Sequence, residues 1–380
     1  MAIRYAIGDA LVTERELTEK RLAGSLTKLG HALKVGESHT LSFDNGDATH
    51  DNVITSYPSD TADGVPVSHV SFAIGTPLSV TIRHVYTGKH PVKHFLAGRQ
   101  DLLITSSMKG IEVYEGSPRA VNFLVRDCDP RKDFRWTSAS AEGTNLVYYS
   151  PSLTGLSSIL TLSVAFDRFP DEFFDMTAGF LGGAAKLPIF VPASGYILAA
   201  GAVVQLAKGV GQYFIESSPV LEVTEALSLD WPGDIPTAAG FILMMSSEAV
   251  CRSVEREYRI NSYGCLARID DPNRAYDGDH PYVVISLDGR KRPAFESFVP
   301  HAATAEMLEQ FYGTRSNTAK VGELALEAMT LVNDFKFRQK ADRLAKELDA
   351  IADKSSDEYL AKKALREAAI ENIRSVELRP

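Results

Sequence analysis

The chain has 380 residues, of which 44% are hydrophobic and 23% are charged. These fractions are typical of folded globular proteins and exclude a chain that is disordered throughout. The formal net charge is −9, from 49 acidic and 40 basic residues. This balance argues against non-specific binding of nucleic acid, which requires a dense positive surface, so we expect no nucleic-acid partner.

Cysteine usage indicates the compartment in which the chain folds. Cys128, Cys251 and Cys265 are too few and too far apart for a disulfide scaffold, and they form no CxxC pair that could bind zinc. The first residues lack the long apolar run of a secretory signal. We therefore expect a reducing, cytoplasmic location.

The N-terminal segment, residues 1–38, is predicted to be helical. Thr13 and Glu16 have the spacing of a capping box, in which each side chain bonds the backbone amide of the other residue. Five leucines follow at near-helical spacing: Leu17, Leu22, Leu26, Leu29 and Leu33. We expect this helix to cap the rest of the protein.

The middle of the chain, residues 39–300, is predicted to form a β-rich body, with a further boundary considered near 90–110. Apolar residues alternate most clearly over Ser158–Phe166, as in a half-buried strand. Other strands are predicted over 66–74, 78–86, 102–106, 120–126, 220–223, 239–245 and 282–287, and a helix over 171–180. Asp288-Gly289 favours a tight type I′ turn, so residues 290–298 are expected to return as an edge strand.

Residues 187–207 carry no charge and are about long enough to cross a bilayer. Pro188 and Pro192 would interrupt a helix and leave backbone groups that lipid cannot satisfy. The favoured interpretation is a strand over 187–191 followed by a helix over 196–208. Membrane contact is the weaker alternative.

The C-terminal region, residues 301–380, is predicted to contain two antiparallel helices. One apolar stripe comprises Val321, Leu324, Ala328, Leu331 and Phe335, and a second, shifted stripe comprises Phe337, Ala341, Leu344, Leu348 and Ile351. We expect the first stripe to pack on the body and the second on the last helix. That helix begins at the capping-box spacing of Ser355 and Glu358 and is expected to bury Leu360, Leu365, Ile373 and Val376. The predicted fold class is α+β, with a sandwich-like body, inserted helices and this hairpin, whose pairing within one chain is favoured over pairing between chains.

Two groups of residues are candidate metal ligands. His84, His90 and His94 are close in sequence and could bind zinc, although they match no established spacing. Asp270, Asp271, Asp277 and Asp279 form one of three acidic loops, the others lying at 127–133 and 167–175, and calcium would require these loops to converge. The sequence indicates no cofactor beyond these two ions.

One cysteine and one basic run complete the candidates. Cys265, with His280 or His301 downstream, could act as a nucleophile in a cysteine hydrolase. Cys128 lies between two aspartates, which would raise the pKa of its thiol and weaken it as a nucleophile. The basic run Arg290-Lys291-Arg292 could hold a phosphate or an acidic partner, or could be a solvated turn.

None of the enzymatic motifs considered is matched in full. The favoured interpretation is therefore a non-enzymatic binding or regulatory protein that acts through protein–protein contacts, with the body and the hairpin each presenting a surface. An enzyme that uses Cys265 or the histidines is one alternative. A membrane-acting protein that uses residues 187–207 or calcium-loaded loops is the other.

Overall fold

A computed structural model describes residues 2–7, 10–22, 42–43, 53–56, 68–70, 72–91, 100–110, 119–135, 143–155, 157–171, 173–175, 177, 187–191, 196–199, 202–205, 219–228, 239–261, 263–271, 273–298 and 319–380. The strands are β1 (Ala2–Ile7), β2 (Ala10–Val12), β3 (Ser42–Phe43), β4 (Val53–Ser56), β5 (Ser68–Val70), β6 (Leu78–Tyr86), β7 (Gln100–Gly110), β8 (Arg119–Cys128), β9 (Asp133–Arg135), β10 (Leu146–Ser150), β11 (Ser157–Asp167), β12 (Ile189–Val191), β13 (Tyr196–Ala199), β14 (Ala202–Gln205), β15 (Pro219–Ser228), β16 (Gly240–Met245), β17 (Tyr258–Ile260), β18 (Leu266–Arg268) and β19 (Tyr282–Asp288). The α-helices are α1 (Glu14–Leu22), α2 (Glu248–Val254), α3 (Ala319–Asp349) and α4 (Asp357–Glu371), and short 3-10 helices cover Pro293–Phe295 and Val376–Leu378.

Most strands belong to two antiparallel sheets of seven strands each. The first sheet has the order β10-β6-β19-β16-β1-β2, with β9 beside β10 on the same edge of β6. The second has the order β14-β13-β12-β8-β7-β11-β15. Two smaller sheets pair β17 with β18 and β3 with β4 and β5.

The two sheets pack face to face over one apolar core. Val80, Ile82 and Ile285 of the first sheet share this core with Leu162 and Val223 of the second. The opposite face of the first sheet buries a second cluster, in which Phe241, Leu243 and Tyr282 pack on α2 and on β17–β18. The predicted α+β class with a sandwich-like body is therefore confirmed, and we call these two faces of the first sheet inner and outer.

The predicted N-terminal capping box is present. The backbone amide of Thr13 donates to Glu16 Oε2 at 2.8 Å, and the amide of Glu16 donates to Thr13 Oγ1 at 3.2 Å. However, residues 1–38 do not begin with a helix, because β1 and β2 precede α1 and belong to the first sheet. The partner of β1 is β16, which lies far away in sequence, so local periodicity could not indicate this pairing.

The predicted helix over 196–208 is wrong. Tyr196–Ala199 and Ala202–Gln205 are strands that pair with each other, and Phe190 of β12 pairs with Leu198 of β13. The β-branched and aromatic residues of this stretch suit a pleated sheet better than a helix. Within the part of the chain that the structure describes, no helix is long and apolar enough to cross a membrane.

The predicted hairpin after Asp288-Gly289 is also wrong. β19 is paired on both sides, with β6 and with β16, so its edges are already occupied. A strand formed by residues 290–298 would have no edge of β19 to join. The chain instead makes a 3-10 turn at Pro293–Phe295, where the ring of Pro293 suits the first helical position.

The C-terminal hairpin is confirmed, and it contacts the body. Phe337 and Ala341 of α3 pack on Ala369 of α4 and on Ile373 just beyond it. Asn372 Nδ2 donates to the carbonyl oxygen of Ser152 at 2.8 Å, and Lys340 Nζ donates to that of Thr154 at 3.1 Å. The hairpin is therefore docked at the loop between β10 and β11.

Four apolar side chains of the hairpin differ from expectation. Leu331 and Phe335 were expected to pack on the body, yet they are 43% and 54% exposed. Leu360 and Val376 were expected to be buried and are 53% and 73% exposed. The buried stripe of α3 instead includes the polar side chains of Asn333 and Asp334, which helical spacing of apolar residues alone does not indicate.

Arg4 joins the N-terminal strand to α2 by an ion pair in which the arginine is buried and the glutamates are partly exposed. Its side chain is 3% exposed, and its guanidinium reaches Glu248 Oε1 and Glu255 Oε2, each at 2.6 Å. The hydrogen bond from Arg4 lowers the pKa of Glu248 to about 2, from an ordinary value of 4.5. Because the folded-state pKa is the lower one, this stabilisation is present above about pH 4.5 and is lost as the pH falls towards 2.

Replacing Arg4 by Met should lower the free energy of unfolding by about 2 kcal/mol at pH 7, because hydrogen bonds to charged groups contribute about 1.5–3 kcal/mol. Urea denaturation at pH 7 and pH 3 measures this cost, which should be smaller at pH 3. The control is Arg15→Met, because Arg15 is 87% exposed and water and salt screen its ion pair with Glu19, so this variant should change the stability little. A cost for Arg4→Met that is equal at both pH values would contradict the ion-pair explanation.

Asp334 holds the end of the hairpin and gives a second test. Its buried carboxylate accepts the backbone amides of Arg374 and Ser375, at 3.0 and 2.8 Å, and the hydroxyl of Ser375 at 2.6 Å. Asp334→Ala should therefore destabilise the protein by about 2–3 kcal/mol and speed amide hydrogen exchange of residues 374–379. Asp349→Ala, which removes an exposed carboxylate at the last residue of the same helix, should leave that exchange unchanged.

Candidate functional site: an arginine cluster on the first sheet

The histidines that were candidate zinc ligands do not share a site. His84 is buried on the outer face of the first sheet, where its Nε2 lies 2.9 Å from Asp133 Oδ1. Burial lowers the pKa of His84, and the bond with Asp133 only partly opposes this shift. His90 stacks on Phe166, with ring centroids 6.3 Å apart, and His94 lies outside the described residues. In the described ranges, no three His, Cys, Asp or Glu side chains are placed to hold a metal ion.

The acidic loops do meet at one end of the sandwich, but through arginines. Arg131 of the first loop contacts Asp279 of the third at 2.6 Å, and Arg126 pairs with Asp171 of the second. Within the third loop, Asp270 pairs with Arg268 at 2.7 Å. Asp271 accepts the backbone amide of Asn273, and Asp277 is exposed. Asp171, Asp270 and Asp279 therefore each face a guanidinium group.

The cysteine candidates are buried. Cys265 is 1% exposed, and its backbone amide donates to Asn261 Oδ1 at 3.0 Å. His280 is exposed, and His301 lies outside the described residues. Burial raises the pKa of Cys128 to about 12 and that of Cys251 to about 11. The negative charge of Asp129 also raises the pKa of Cys128, as predicted, but by less than burial does. The thiols of Cys128 and Cys251 are therefore protonated at neutral pH.

The basic run at 290–292 belongs to a larger cluster. Its deepest member is Arg83, which lies at a bulge in β6: Ile82 pairs with Ile285 and His84 pairs with Val284, so Arg83 has no partner in the ladder. A bulge shifts the alternation of side chains by one residue. As a result Ile82 and Val85 both reach the inner core, while His84 lies on the outer face and contacts Tyr282 at a ring separation of 5.2 Å.

Arg83 lies on the same face as Asp288, the last residue of β19. The loop between β17 and β18 covers the bulge at Gly264, where a Cβ would lie only 3.1 Å from Cβ of Arg83. Residue 264 also has φ +80°, a conformation that favours glycine. Burial lowers the pKa of Arg83, while the charge of Asp288 raises it. The side chain of Arg83 makes no hydrogen bond or ion pair with any residue that the structure describes.

Asp288 organises the cluster through its two oxygens. Its Oδ1 accepts the backbone amides of Val70 and Arg290, at 3.0 and 3.3 Å. Its Oδ2 faces the guanidinium groups of Arg292 and Arg290, at 3.5 and 3.9 Å. Both distances exceed the 2.7–2.9 Å that is usual for charge-assisted hydrogen bonds, so Asp288 holds these arginines only loosely. We define the arginine cluster as Arg83, Arg290 and Arg292 around Asp288.

A buried histidine and serine lie beside the arginine cluster. His69 Nε2 and Ser286 Oγ share a hydrogen bond of 2.7 Å, and the His69 ring meets the edge of Phe241 at 4.7 Å. Burial, followed by the charges of Arg83 and Arg290, lowers the pKa of His69 to about 3. His69 is therefore neutral at physiological pH, and so weak a base would not activate Ser286.

The turn that carries Arg290 and Arg292 is anchored to three parts of the protein. The amide of Gly289 donates to the carbonyl oxygen of Val70 at 2.7 Å, and the amide of Arg292 donates to the hydroxyl of Tyr149 at 3.1 Å. Lys291 Nζ lies 3.4 Å from Glu371 of α4. The turn is therefore fixed by β5 of the small sheet, by the first sheet and by the docked hairpin, which limits the conformational entropy that it loses on binding.

Only the surface part of this arrangement is visible in the amino-acid sequence. The run Arg290-Lys291-Arg292 is visible as a charge pattern, but Arg83 is a single arginine within a predicted strand. Whether it faces inwards or outwards depends on the bulge, for which the sequence gives no signal. His69 and Ser286 are far apart in the chain, so only tertiary structure brings them together.

The titration of His69 tests this description of the site. Because its folded pKa is the lower one, the free energy of unfolding should fall as the pH drops below about 6.5, the ordinary value for histidine. In an NMR titration from pH 8 to pH 5, the ring signals of His69, assigned from a His69→Asn variant, should not shift. A midpoint near pH 6.5 would show that the site is open to water.

Comparisons with known proteins do not assign a function to this site. The chain matches no protein-family model, no curated protein and no solved structure. The inference about function therefore depends on the geometry and charges described above.

Proposed function

We propose that this protein is a non-enzymatic binding protein whose arginine cluster docks an acidic segment of a partner protein. The observation that carries the proposal is that the exposed guanidinium groups of Arg290 and Arg292 face one carboxylate, that of Asp288, at 3.9 and 3.5 Å, while the half-buried Arg83 lies on the same face of the sheet. Arginine is well suited to bind carboxylates at protein interfaces because its planar fork can donate two parallel hydrogen bonds.

The exposure of the cluster supports a binding role. The side chains of Arg290 and Arg292 are 40% and 48% exposed, whereas Asp288 is only 10% exposed. An incoming acidic group would therefore meet the arginines before it approached Asp288. It would also offset the cost of the partly buried charge of Arg83, which Asp288 offsets only in part.

Lys291 and Tyr149 restrict where the partner can lie. Lys291 is already engaged with Glu371, so it contributes less than its neighbours to binding. Tyr149 fixes the backbone at Arg292 and is itself buried against Phe295, at a ring separation of 5.8 Å. The binding surface is therefore the side of the turn that carries Arg290 and Arg292.

A fluorescein-labelled hexaglutamate peptide tests the proposal by fluorescence anisotropy at low salt. The double variant Arg290→Gln/Arg292→Gln should bind it about tenfold more weakly than the unchanged protein, a loss of about 1.4 kcal/mol. Raising the salt concentration to about 0.2 M should weaken binding to the unchanged protein, because the contacts are exposed.

The matched control is Arg15→Gln/Arg343→Gln. It removes the same amount of charge from two arginines that pair with glutamates one helical turn away, Glu19 and Glu347. Its affinity for hexaglutamate should stay within about twofold of the unchanged protein. If both double variants lost affinity for hexaglutamate equally, overall charge would explain the loss and a specific site would be refuted.

A further inference from the structure

The turn at residues 290–292, which we call the basic turn, already contacts a carboxylate from another part of the chain. Lys291 Nζ lies 3.4 Å from Oε1 of Glu371, the last residue of α4. The side chains of Lys291 and Glu371 are 58% and 47% exposed. An acidic side chain of the hairpin therefore lies where an acidic side chain of the proposed partner would bind.

The position of Glu371 is fixed by the residue that follows it. Asn372 is 7% exposed, and its Nδ2 donates to the carbonyl oxygens of Ser152 and Ala368, each at 2.8 Å. Ser152 belongs to the loop between β10 and β11, whereas Ala368 belongs to α4. Since these bonds hold the end of α4 against the body, Glu371 contacts Lys291 with little further loss of backbone entropy.

The helix that carries Glu371 does not itself favour a carboxylate at this position. The C-terminus of a helix carries a partial negative charge, so an acidic side chain in the last turn is unfavourable. Residues 368–371, the last turn of α4, include no basic residue that would offset this effect. The contact with Lys291 therefore explains the position of Glu371 better than the stability of α4 does.

We infer that Glu371 is an internal competitor for the basic turn, an inference that rests on the proposed function. The partner first meets the exposed guanidinium groups of Arg290 and Arg292. One of its carboxylates then replaces Glu371 at Lys291. The docked hairpin thus lowers the affinity of the site for an acidic segment.

The exposure of the ion pair between Lys291 and Glu371 determines the size of the effect. Water and salt screen an exposed pair, so its formation stabilises the protein little and an incoming carboxylate can displace it. Loss of the competitor should therefore raise the affinity about threefold rather than by orders of magnitude. The contact adjusts the affinity of the site without closing it.

Glu371→Gln tests the inference in the full chain, with the fluorescein-labelled hexaglutamate peptide at about 0.1 M salt. This variant should bind the peptide about threefold more tightly than the unchanged protein. Because both side chains of the pair are exposed, the substitution should not impair folding.

The matched control is Glu358→Gln. It removes the same charge from an exposed glutamate of α4, which pairs with Lys362 at 3.0 Å. At about 1.5 Å per residue, Glu358 lies on the order of 20 Å from Glu371 along the helix, beyond the screening length of about 10 Å at 0.1 M salt. The affinity of this control for hexaglutamate should therefore stay unchanged.

A double-mutant cycle with Lys291→Gln separates competition from simple repulsion. If Glu371 acts by occupying Lys291, Glu371→Gln should have no effect on affinity when Lys291 is already replaced. Lys291→Gln should cost little affinity in the otherwise unchanged protein, but about threefold when Glu371 is also replaced. A gain from Glu371→Gln that persists without Lys291 would show that Glu371 only repels the peptide, and would overturn the inference.

The possible outcomes distinguish this inference from the proposed function. Unchanged affinity in Glu371→Gln, together with the expected loss in Arg290→Gln/Arg292→Gln, would refute competition and leave acidic-segment binding in place. If hexaglutamate bound neither the unchanged protein nor Glu371→Gln, the proposed function itself would be refuted. Binding that appears only in Glu371→Gln would support both proposals, with stronger competition than expected.

Discussion

The central position of β19 determines how the candidate site is built. β19 is buried along its whole length and is paired on one side with β6 and on the other with β16. Because no edge remains, the chain cannot fold back beside β19 after Asp288. Asp288 then uses its carboxylate to hold the departing backbone at Arg290, and this local constraint places Arg290 and Arg292 next to the outer face.

The bulge at Arg83 changes which side chains of β6 reach the core between the sheets. In a regular β6, Ile82 and His84 would lie on the same face and residue 83 on the other. The extra residue lets Ile82 and Val85 fill the core between the sheets while Arg83 and His84 both avoid it. In a regular strand, keeping Ile82 in the core would bring His84 into it, and keeping Val85 there would bring in Arg83, whose buried charge would have no partner. The bulge thus reconciles a well-packed sandwich with a charged outer face.

Strands and helix starts that follow from a local residue pattern could be predicted from the sequence. Features that depend on pairing between distant segments could not. The alternation in Ser158–Phe166 predicted β11, and the spacing of Thr13 and Glu16 predicted the start of α1, because each signal lies within a few residues. The hairpin after Asp288 failed because its turn signal was local, whereas the occupancy of the edges of β19 was not. For the same reason the run at 290–292 was visible, and its relation to Arg83 was not.

The overall charge of the chain does not describe its local electrostatics. The acidic loops lie at the end of the sandwich where β19 begins, and the arginine cluster lies where it ends, about 20 Å away for a seven-residue strand. Physiological salt screens exposed charges beyond about 8 Å, so the acidic end barely weakens the attraction of the cluster for an anion held in contact with it. A polyanion long enough to span both ends, however, would also meet the acidic loops. This arrangement should therefore favour a short acidic segment over extended polyanions.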